Sequence, residues 1–314
     1  MFNKRTVGII GAGHVGSHTA YSIASQGIAD EIILTDINHE KAESECRDIF
    51  DAMSSFPHRA EIHTGSYSDL GHCSIIVNAA GNISLLSEPD GRLNEARYTL
   101  NAVSSFTEEI MSSGFSGIIV SISNPCDIVA ERLSELSGLP HGHVIGTGTA
   151  LDTARLLSVL ERQTGIHHSS ISACVIGEHG MAQMVPWSAV SFGGRKLSEC
   201  EETDERFRFD REALRTEARD SWRVLMKGKH STEYGICSAA ARIIRSILFD
   251  EKQIIPVSIE LDGAYGEDNL FAGVPCVIGA QGAEKIIELP LSGSELKEFH
   301  ECCMKMRENK AKLS

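Results

Sequence analysis

Short, almost unbroken apolar runs alternate with longer amphipathic stretches along the first half of the chain. The first, Thr6-Val-Gly-Ile-Ile10, predicts a buried strand, and a helical stretch follows to about Gly27. Further strands are predicted at Glu31-Ile-Ile-Leu-Thr-Asp36, Ser74-Ile-Ile-Val-Asn-Ala-Ala80 and Gly117-Ile-Ile-Val-Ser-Ile-Ser123. Runs that are apolar throughout suit strands covered on both faces by helices. Asn94 to Ser113 has the character of such a helix and closes at Gly114. This alternation predicts an α/β fold whose first 145 residues form a doubly wound parallel sheet.

The second half, residues 146–314, reads as an α+β substrate domain, although no change of composition announces a linker. Residues 150–163 are expected to be helical. Ile171-Ser-Ala-Cys-Val-Ile176 reads as a strand running directly into Gly177-Glu-His-Gly180. The charged stretch Glu199 to Arg219 reads as a solvated helix with its preceding loop. Thr232 to Asp250 carries the apolar stripe Ile236, Ala240, Ile243, Ile244, Ile247 and Leu248 of a packed helix, free to pack back on the first domain. Strands at Ile254 to Leu261 and Ala272 to Gly279 and an amphipathic helix from about Ser294 complete the pattern.

Composition narrows the classes of function. The 314 residues are 42% hydrophobic and 23% charged, with a net charge of −14, which disfavours nucleic acid or an anionic membrane as partner. Nine cysteines without a Cys-x-x-Cys pair suit free thiols in a reducing compartment. The N-terminus enters a strand at once, and no apolar run approaches the ~20 residues of a membrane span. A cytoplasmic protein is therefore expected. No histidine pairs with cysteines at zinc spacing, so no metal is expected; His14, His63, His72, His141, His143, His167 and His168 read as loop or surface residues.

Gly11-Ala-Gly-His-Val-Gly16 is Gly-x-Gly-x-x-Gly in the setting of strand, turn and helix that dinucleotide binding requires. The first glycine permits the tight turn, the second lets backbone approach a pyrophosphate, and the third allows helix and strand to pack closely. Asp36 ends the next strand 20 residues after Gly16; an acid there suits the ribose hydroxyls of NAD and repels the extra phosphate of NADP. The first domain thus reads as a Rossmann-type fold. Ligands of such sheets lie outside the carboxyl ends of the strands, where Gly81 and Asn124 fall.

Asp152 and Arg155 share one helical face, and His179 sits between glycines where a predicted strand stops. A carboxylate that orients a histidine, beside a guanidinium that grips a substrate carboxylate, makes an acid–base site. Taken alone, Asp-x-x-Arg would be a surface ion pair.

With these motifs in hand, the chain resembles the lactate/malate dehydrogenase superfamily, in its L-2-hydroxyacid dehydrogenase branch. The matching segments are Gly11-x-Gly-x-x-Gly16, Asp36, Ser123-Asn-Pro125, Gly146-Thr-Gly-Thr149, Leu151-Asp-Thr-Ala-Arg155, Gly177-Glu-His-Gly180 and Ser231-Thr-x-Tyr-Gly235. The resemblance implies a lactate dehydrogenase-like fold, NAD as cofactor and a small 2-oxo or 2-hydroxy acid as substrate. It implies His179 as general acid or base, Asp152 as its orienting partner, Arg155 as the clamp for the substrate carboxylate, and Arg92, at the end of a mobile loop, as the carbonyl polariser. Asn124 and Thr232 would line the site. Gly11, Gly13, His14, Val15, Gly16, Asp36, Ala80, Gly81 and Asn124 would border the cofactor. The family further implies a homo-oligomer, dimer or tetramer.

Three departures bear on the substrate. Ten residues separate Gly81 from Arg92, about two more than in typical lactate enzymes; they include Ile83, Leu85 and Leu86 and no glutamine, and so resemble L-2-hydroxyisocaproate dehydrogenase. No arginine precedes Arg92 in that segment, so a second carboxylate would be unpaired and oxaloacetate rejected. Met181-Ala-Gln183 replaces the polar or acidic pair common in lactate enzymes, which suits a less polar pocket, although Met181 serves equally as plain packing. The expectation is a 2-oxomonocarboxylate with an aliphatic side chain larger than pyruvate's. L-lactate dehydrogenase is the alternative, and a catalytically inactive NAD-binding protein the alternative of another class. Leu157 and Ser172 stand where effector-controlled bacterial lactate dehydrogenases carry arginine and histidine, so no activation by fructose 1,6-bisphosphate is expected.

Overall fold

The unbroken apolar runs of the first half form its buried strands. The computed structural model describes residues 4–87 and 90–313, the side chains of Leu86 and Ser87 excepted. Strands β1 (Thr6–Ile10), β2 (Glu31–Thr35), β4 (Ile75–Asn78), β5 (Ile118–Ser121) and β6 (Val144–Gly146) are buried at every position, whereas the edge strand β3 (Glu61–Thr64) is largely exposed. Helices α1 (His14–Ser25), α2 (His39–Ala52), α3 (Gly91–Ser112) and α4 (Cys126–Ser137) connect them. The six strands run parallel in the spatial order β3-β2-β1-β4-β5-β6, a doubly wound sheet whose order reverses between β1 and β4.

The second half contributes α5 (Ala150–Thr164), a small antiparallel sheet of β7 (Ile171–Ser172), β8 (Ser191–Phe192) and β9 (Arg195–Lys196), and then α6 (Leu197–Thr203), α7 (Arg211–Asp220), α8 (Trp222–Lys229) and α9 (Tyr234–Leu248). It ends with β10 (Gln253–Asp262), β11 (Asp268–Gly279), β12 (Gly282–Ile286) and α10 (Gly293–Ala311). Strand β10 pairs antiparallel with β6 through Ser258 opposite Gly146. Among the described residues, nine strands therefore form one sheet, β12-β11-β10-β6-β5-β4-β1-β2-β3, that crosses from one half of the chain into the other.

Helix α9 packs against α1. Its buried Ile236, Cys237, Ala240, Ala241, Ile243, Ile244 and Ile247 join one core with Ala20, Ile23 and Ala24 of α1. Small residues on both helices permit the close approach. Helix α10 opens on a capping box, Ser292 with Glu295, and buries Phe299, Cys302, Cys303 and Met306.

Three sequence expectations need correction. The strand proposed for 171–176 is regular only at Ile171–Ser172: the Thr149 and Thr153 side chains take the Val175 backbone, and Ile176 makes an isolated bridge to Met184. The segment 199–219 is two helices, α6 and α7, separated by a 3₁₀ turn at Glu205–Phe207 and by Asp210, which caps α7. Helix α3 begins at Gly91, not near Asn94: the amides of Leu93 and Asn94 donate to the carbonyl of Asp90, a residue in the left-handed region at φ 57°. Arg92 thus stands in the first turn of a helix, not at a loop's end.

Candidate active site

Strand β6 leads through Thr147–Thr149 into α5, and α5 organises the site. The Thr149 hydroxyl donates to the carbonyl of Val175 (2.6 Å), and the Val175 amide donates to Oγ1 of Thr153 (2.9 Å). These two bonds fix the approach to Gly177-Glu-His-Gly180. Asp152, in the first turn of α5, is 2% exposed. His179 Nδ1 lies 2.6 Å from Asp152 Oδ2, and Arg155 Nη1 donates to Asp152 Oδ1 at 3.2 Å. An ionised carboxylate only accepts, so Nδ1 carries the hydrogen and Nε2 is the nitrogen left to exchange a proton with a substrate.

Burial alone would lower the pKa of His179, but the charge and hydrogen bond of Asp152 outweigh it and hold the imidazole above its ordinary value. Burial conversely pushes Asp152 up, yet His179, Arg155 and the Gln183 side chain keep it below the usual carboxylate range. The pair is therefore a carboxylate facing an imidazole that readily holds a second proton.

Other elements grip the loop that carries His179. Helix α10 supplies Cys302, whose sulfur accepts the Glu178 amide (3.3 Å), and Asn309, which donates to the Glu178 carboxylate (3.0 Å). Gly177, at φ 91°, lies so close to α10 that a Cβ there would meet the Cys302 sulfur at 2.5 Å. From α4, Asp127 Oδ2 accepts the His179 main-chain N–H at 2.9 Å. Burial pushes the Asp127 carboxyl up to about 6. Gln183 donates to the Gly180 carbonyl (2.8 Å).

Sequence reasoning overlooked Asp127 and gave Gln183 no role of its own. Their signals were weak: an acid in a helix's first turn reads as a dipole partner, and Gln183 entered only as part of the run after Gly180. Met181 is 58% exposed, so it joins no core of this chain.

The remaining predicted residues are placed unevenly. Arg155 and Thr232 line one cavity of about 710 Å³, together with Leu151, Ser158, Val224 and Leu225. Asn124 is half-buried in the turn between β5 and α4, next to a cis peptide bond with Pro125. Arg92 is exposed, its guanidinium 5.7 Å from the ring of Trp222 and not hydrogen-bonded to Asp152 or His179. Ile83 is 46% exposed on a 3₁₀ turn (Ile83–Ser87) that packs on α3. The expected pocket-lining role of Leu86 lies outside the described residues, as do Glu88 and Pro89.

At the carboxyl ends of β1, β2 and β4 lies the cradle for a dinucleotide. Gly11, at φ 99°, passes the end of β4 so closely that a Cβ would meet the Ala79 carbonyl at 2.7 Å; at Gly16 a Cβ would strike the Gly11 carbonyl. At Gly13 a Cβ would meet nothing within 4 Å, so open space lies where a pyrophosphate must approach. The N-terminus of α1 has no side-chain cap, which leaves its amides to an anion. His14 is exposed in the first turn; Val15 packs on the core and accepts the Cys237 thiol through its carbonyl. Asp36 accepts the amides of Ala12 (2.6 Å) and Asn38 (2.8 Å), which holds its carboxylate at the rim. Ala80 is tied to Asn78 and Ser123, and Gly81 beside it is exposed. These residues fit NAD.

Among the described residues one group has metal-ligand geometry, Glu161, His167 and His168 at the far end of α5. It includes none of the residues above. No described helix is long and apolar enough to cross a membrane.

Comparison with known proteins agrees with this geometry. Residues 5–146 match the family model for the lactate/malate dehydrogenase NAD binding domain, and residues 149–314 match the model for its alpha/beta C-terminal domain. An L-lactate dehydrogenase of Fusobacterium nucleatum is 38% identical over 314 residues, covering 98% of this chain and 96% of its own length. One from Bacillus cereus is 39% identical, covering 95% and 94%. Among solved structures, the minor L-lactate dehydrogenase of Enterococcus mundtii in its ligand-bound form superimposes with a TM-score of 0.93 at 32% identity over 99% of both chains. The lactate dehydrogenase of Cryptosporidium parvum, complexed with lactic acid and NAD, gives 0.91 at 26% identity over 100% of this chain and 99% of its own.

Proposed function

The chain belongs to the lactate/malate dehydrogenase family and is an NAD-dependent oxidoreductase acting on CH–OH groups; from that premise we propose that it interconverts pyruvate and L-lactate. The observation that carries this reading is the Asp152–His179 couple at 2.6 Å, with Arg155 one helical turn along α5. Bound at the glycine turn, Asp36, Ala80, Gly81 and Asn124, the dinucleotide supplies the hydride.

The protein's own residues do the rest. Arg155 holds the substrate carboxylate with its remaining guanidinium N–H groups, in a two-pronged geometry that lysine cannot copy. Protonated His179 gives its Nε2 proton to the carbonyl oxygen as that oxygen gains negative charge; in the reverse direction neutral His179 takes the proton from the hydroxyl. Asp152 keeps the ring oriented and stabilises the imidazolium throughout. Asn124 and Thr232 flank the substrate, and Arg92, moving from the Trp222 ring into the cleft, polarises the carbonyl. The same reading makes the protein a cytoplasmic homo-oligomer, dimer or tetramer.

Relatives named for lactate over nearly the whole chain favour pyruvate over the bulkier 2-oxo acids to which the long segment 82–91 pointed. One feature still supports a larger side chain: Leu151, Val224 and Leu225 give the cavity beside Arg155 apolar walls. A panel of 2-oxo acids with NADH separates the two readings. Pyruvate should give the highest kcat/KM and oxaloacetate almost none; an equal or higher value for 2-oxoisocaproate overturns the assignment.

A further inference from the structure

Asp127 is a buried carboxyl that the chemistry above does not use. It stands in the first turn of α4, three residues after Asn124, and is 6% exposed. Its Oδ2 accepts the His179 main-chain N–H at 2.9 Å, while Oδ1 has no hydrogen-bond partner among the described residues. The Ser258 hydroxyl of β10 faces it and favours its charged form as a donor, outside good hydrogen-bond geometry. A buried carboxylate with a poorly satisfied oxygen costs a fold stability. The preference of a helix N-terminus for negative charge would be met as well by an exposed acid. The position is explained by what it touches.

We propose that Asp127 is a positioning residue for the acid–base step, anchoring the main chain of His179 while Asp152 anchors its ring, and contributing a second negative charge to the field around the imidazole. The residue then has two neighbours that matter. Through its N–H contact it fixes where the His179 Cα stands; through the short turn it shares with Asn124 it ties that point to the residue expected to flank the substrate. The His179 imidazole and the Asn124 side-chain amide become parts of one rigid unit, and a displacement of about 1 Å at such a point can cost ~100-fold in rate.

The titratable and polar groups around this carboxyl come from several elements. Glu178 and His179 face it from the 177–180 loop, Cys302 and Cys303 from α10, Ser258 from β10, and Asp152 lies beyond Cys126. Around His179 itself, Asp152 and Asp127 favour the protonated ring and Arg155 opposes it. Burial raises the Asp127 carboxyl to about 6, so it is charged in neutral solution and adds to the proton affinity of the ring.

The test uses the full-length protein and two substitutions. Asp127→Asn keeps an oxygen for the His179 N–H and removes the charge; Asp127→Ala removes both. The His179 imidazole is titrated by NMR, its signal identified by its loss in His179→Gln. In Asp127→Asn the ring should titrate roughly 0.5–1 unit lower than in the unmodified protein. In Asp127→Ala, single-turnover NADH oxidation by pyruvate should slow ~10- to 100-fold with KM little changed, and Asn should restore most of the rate.

An unmoved titration in the Asn variant overturns the proposal, and so does an Ala variant that loses thermal stability but keeps its rate. Should the Ala variant fail to fold, the Asn titration decides alone. Only the kinetic arm rests on the pyruvate reading. A protein that ignores pyruvate would sink that reading, while the NMR result would still stand or fall by itself.

Discussion

At His179 the carboxylates of Asp152 and Asp127 favour the protonated ring and the Arg155 guanidinium opposes it, a balance that should set the pH range of the reaction. The folded-state pKa of the ring is raised, chiefly by Asp152 working against burial. Pyruvate reduction needs the protonated ring, so its kcat/KM should hold beyond the ordinary imidazole value of about 6.5 and fall as pH rises through the raised one. Lactate oxidation should show the mirror-image limb. By linkage, the ion pair's contribution to stability is fully present below the unfolded pKa and lost as pH rises through the folded one. Asp152→Asn should move the alkaline limb of reduction to lower pH and cut kcat/KM by about 10²- to 10⁴-fold, as read in a pH–rate series. Arg155→Lys keeps a charge but not the fork; KM for pyruvate should rise ~10- to 100-fold with a smaller effect on NADH binding, measured by steady-state kinetics and fluorescence titration.

Among the elements, α9 shows how a distant segment serves the cofactor. Its small residues lie against α1, whose uncapped N-terminus follows directly on the glycine turn proposed to hold the cofactor. Ala240 is fully buried there, so Ala240→Leu should destabilise the protein by about 1–3 kcal/mol in denaturant unfolding and weaken NADH by shifting α1.

Elements such as α9 were legible because a long apolar stripe at helical spacing has few alternatives, and β1, β2, β4 and β5 because unbroken apolar runs do. The segment 171–176 is not one strand because Thr149 and Thr153, distant in sequence, supply the hydrogen bonds of Val175. Edge strand β3 and the three-residue β6 were missed because neither carries a long apolar run. Asp152, Arg155 and His179 were legible by motif, whereas Asp127 and Gln183 act through backbone contacts that leave no periodic trace.

For the whole molecule, the shared sheet and the α1–α9 contact predict one response to cofactor. NADH at about 100 times its Kd should stabilise the fold by ~2.7 kcal/mol in a single calorimetric transition, not by shifting one of two transitions. Fructose 1,6-bisphosphate should leave KM for pyruvate unchanged, because Leu157 and Ser172 offer a phosphate neither charge nor an imidazole. A large fall in KM on adding it would refute this.

The Gly146–Ser258 pairing of β6 with β10 also bears on cutting the chain. The two family models divide it near residue 147, which invites expression of the halves as separate fragments. A fragment ending there would bare the hydrogen-bonding edge of β6 and, with α9 gone, the apolar face of α1. Unpaired edges recruit other chains, so fragment 1–146 should be recovered as aggregates, and adding residues 147–314 in trans should restore solubility only by rebuilding that seam.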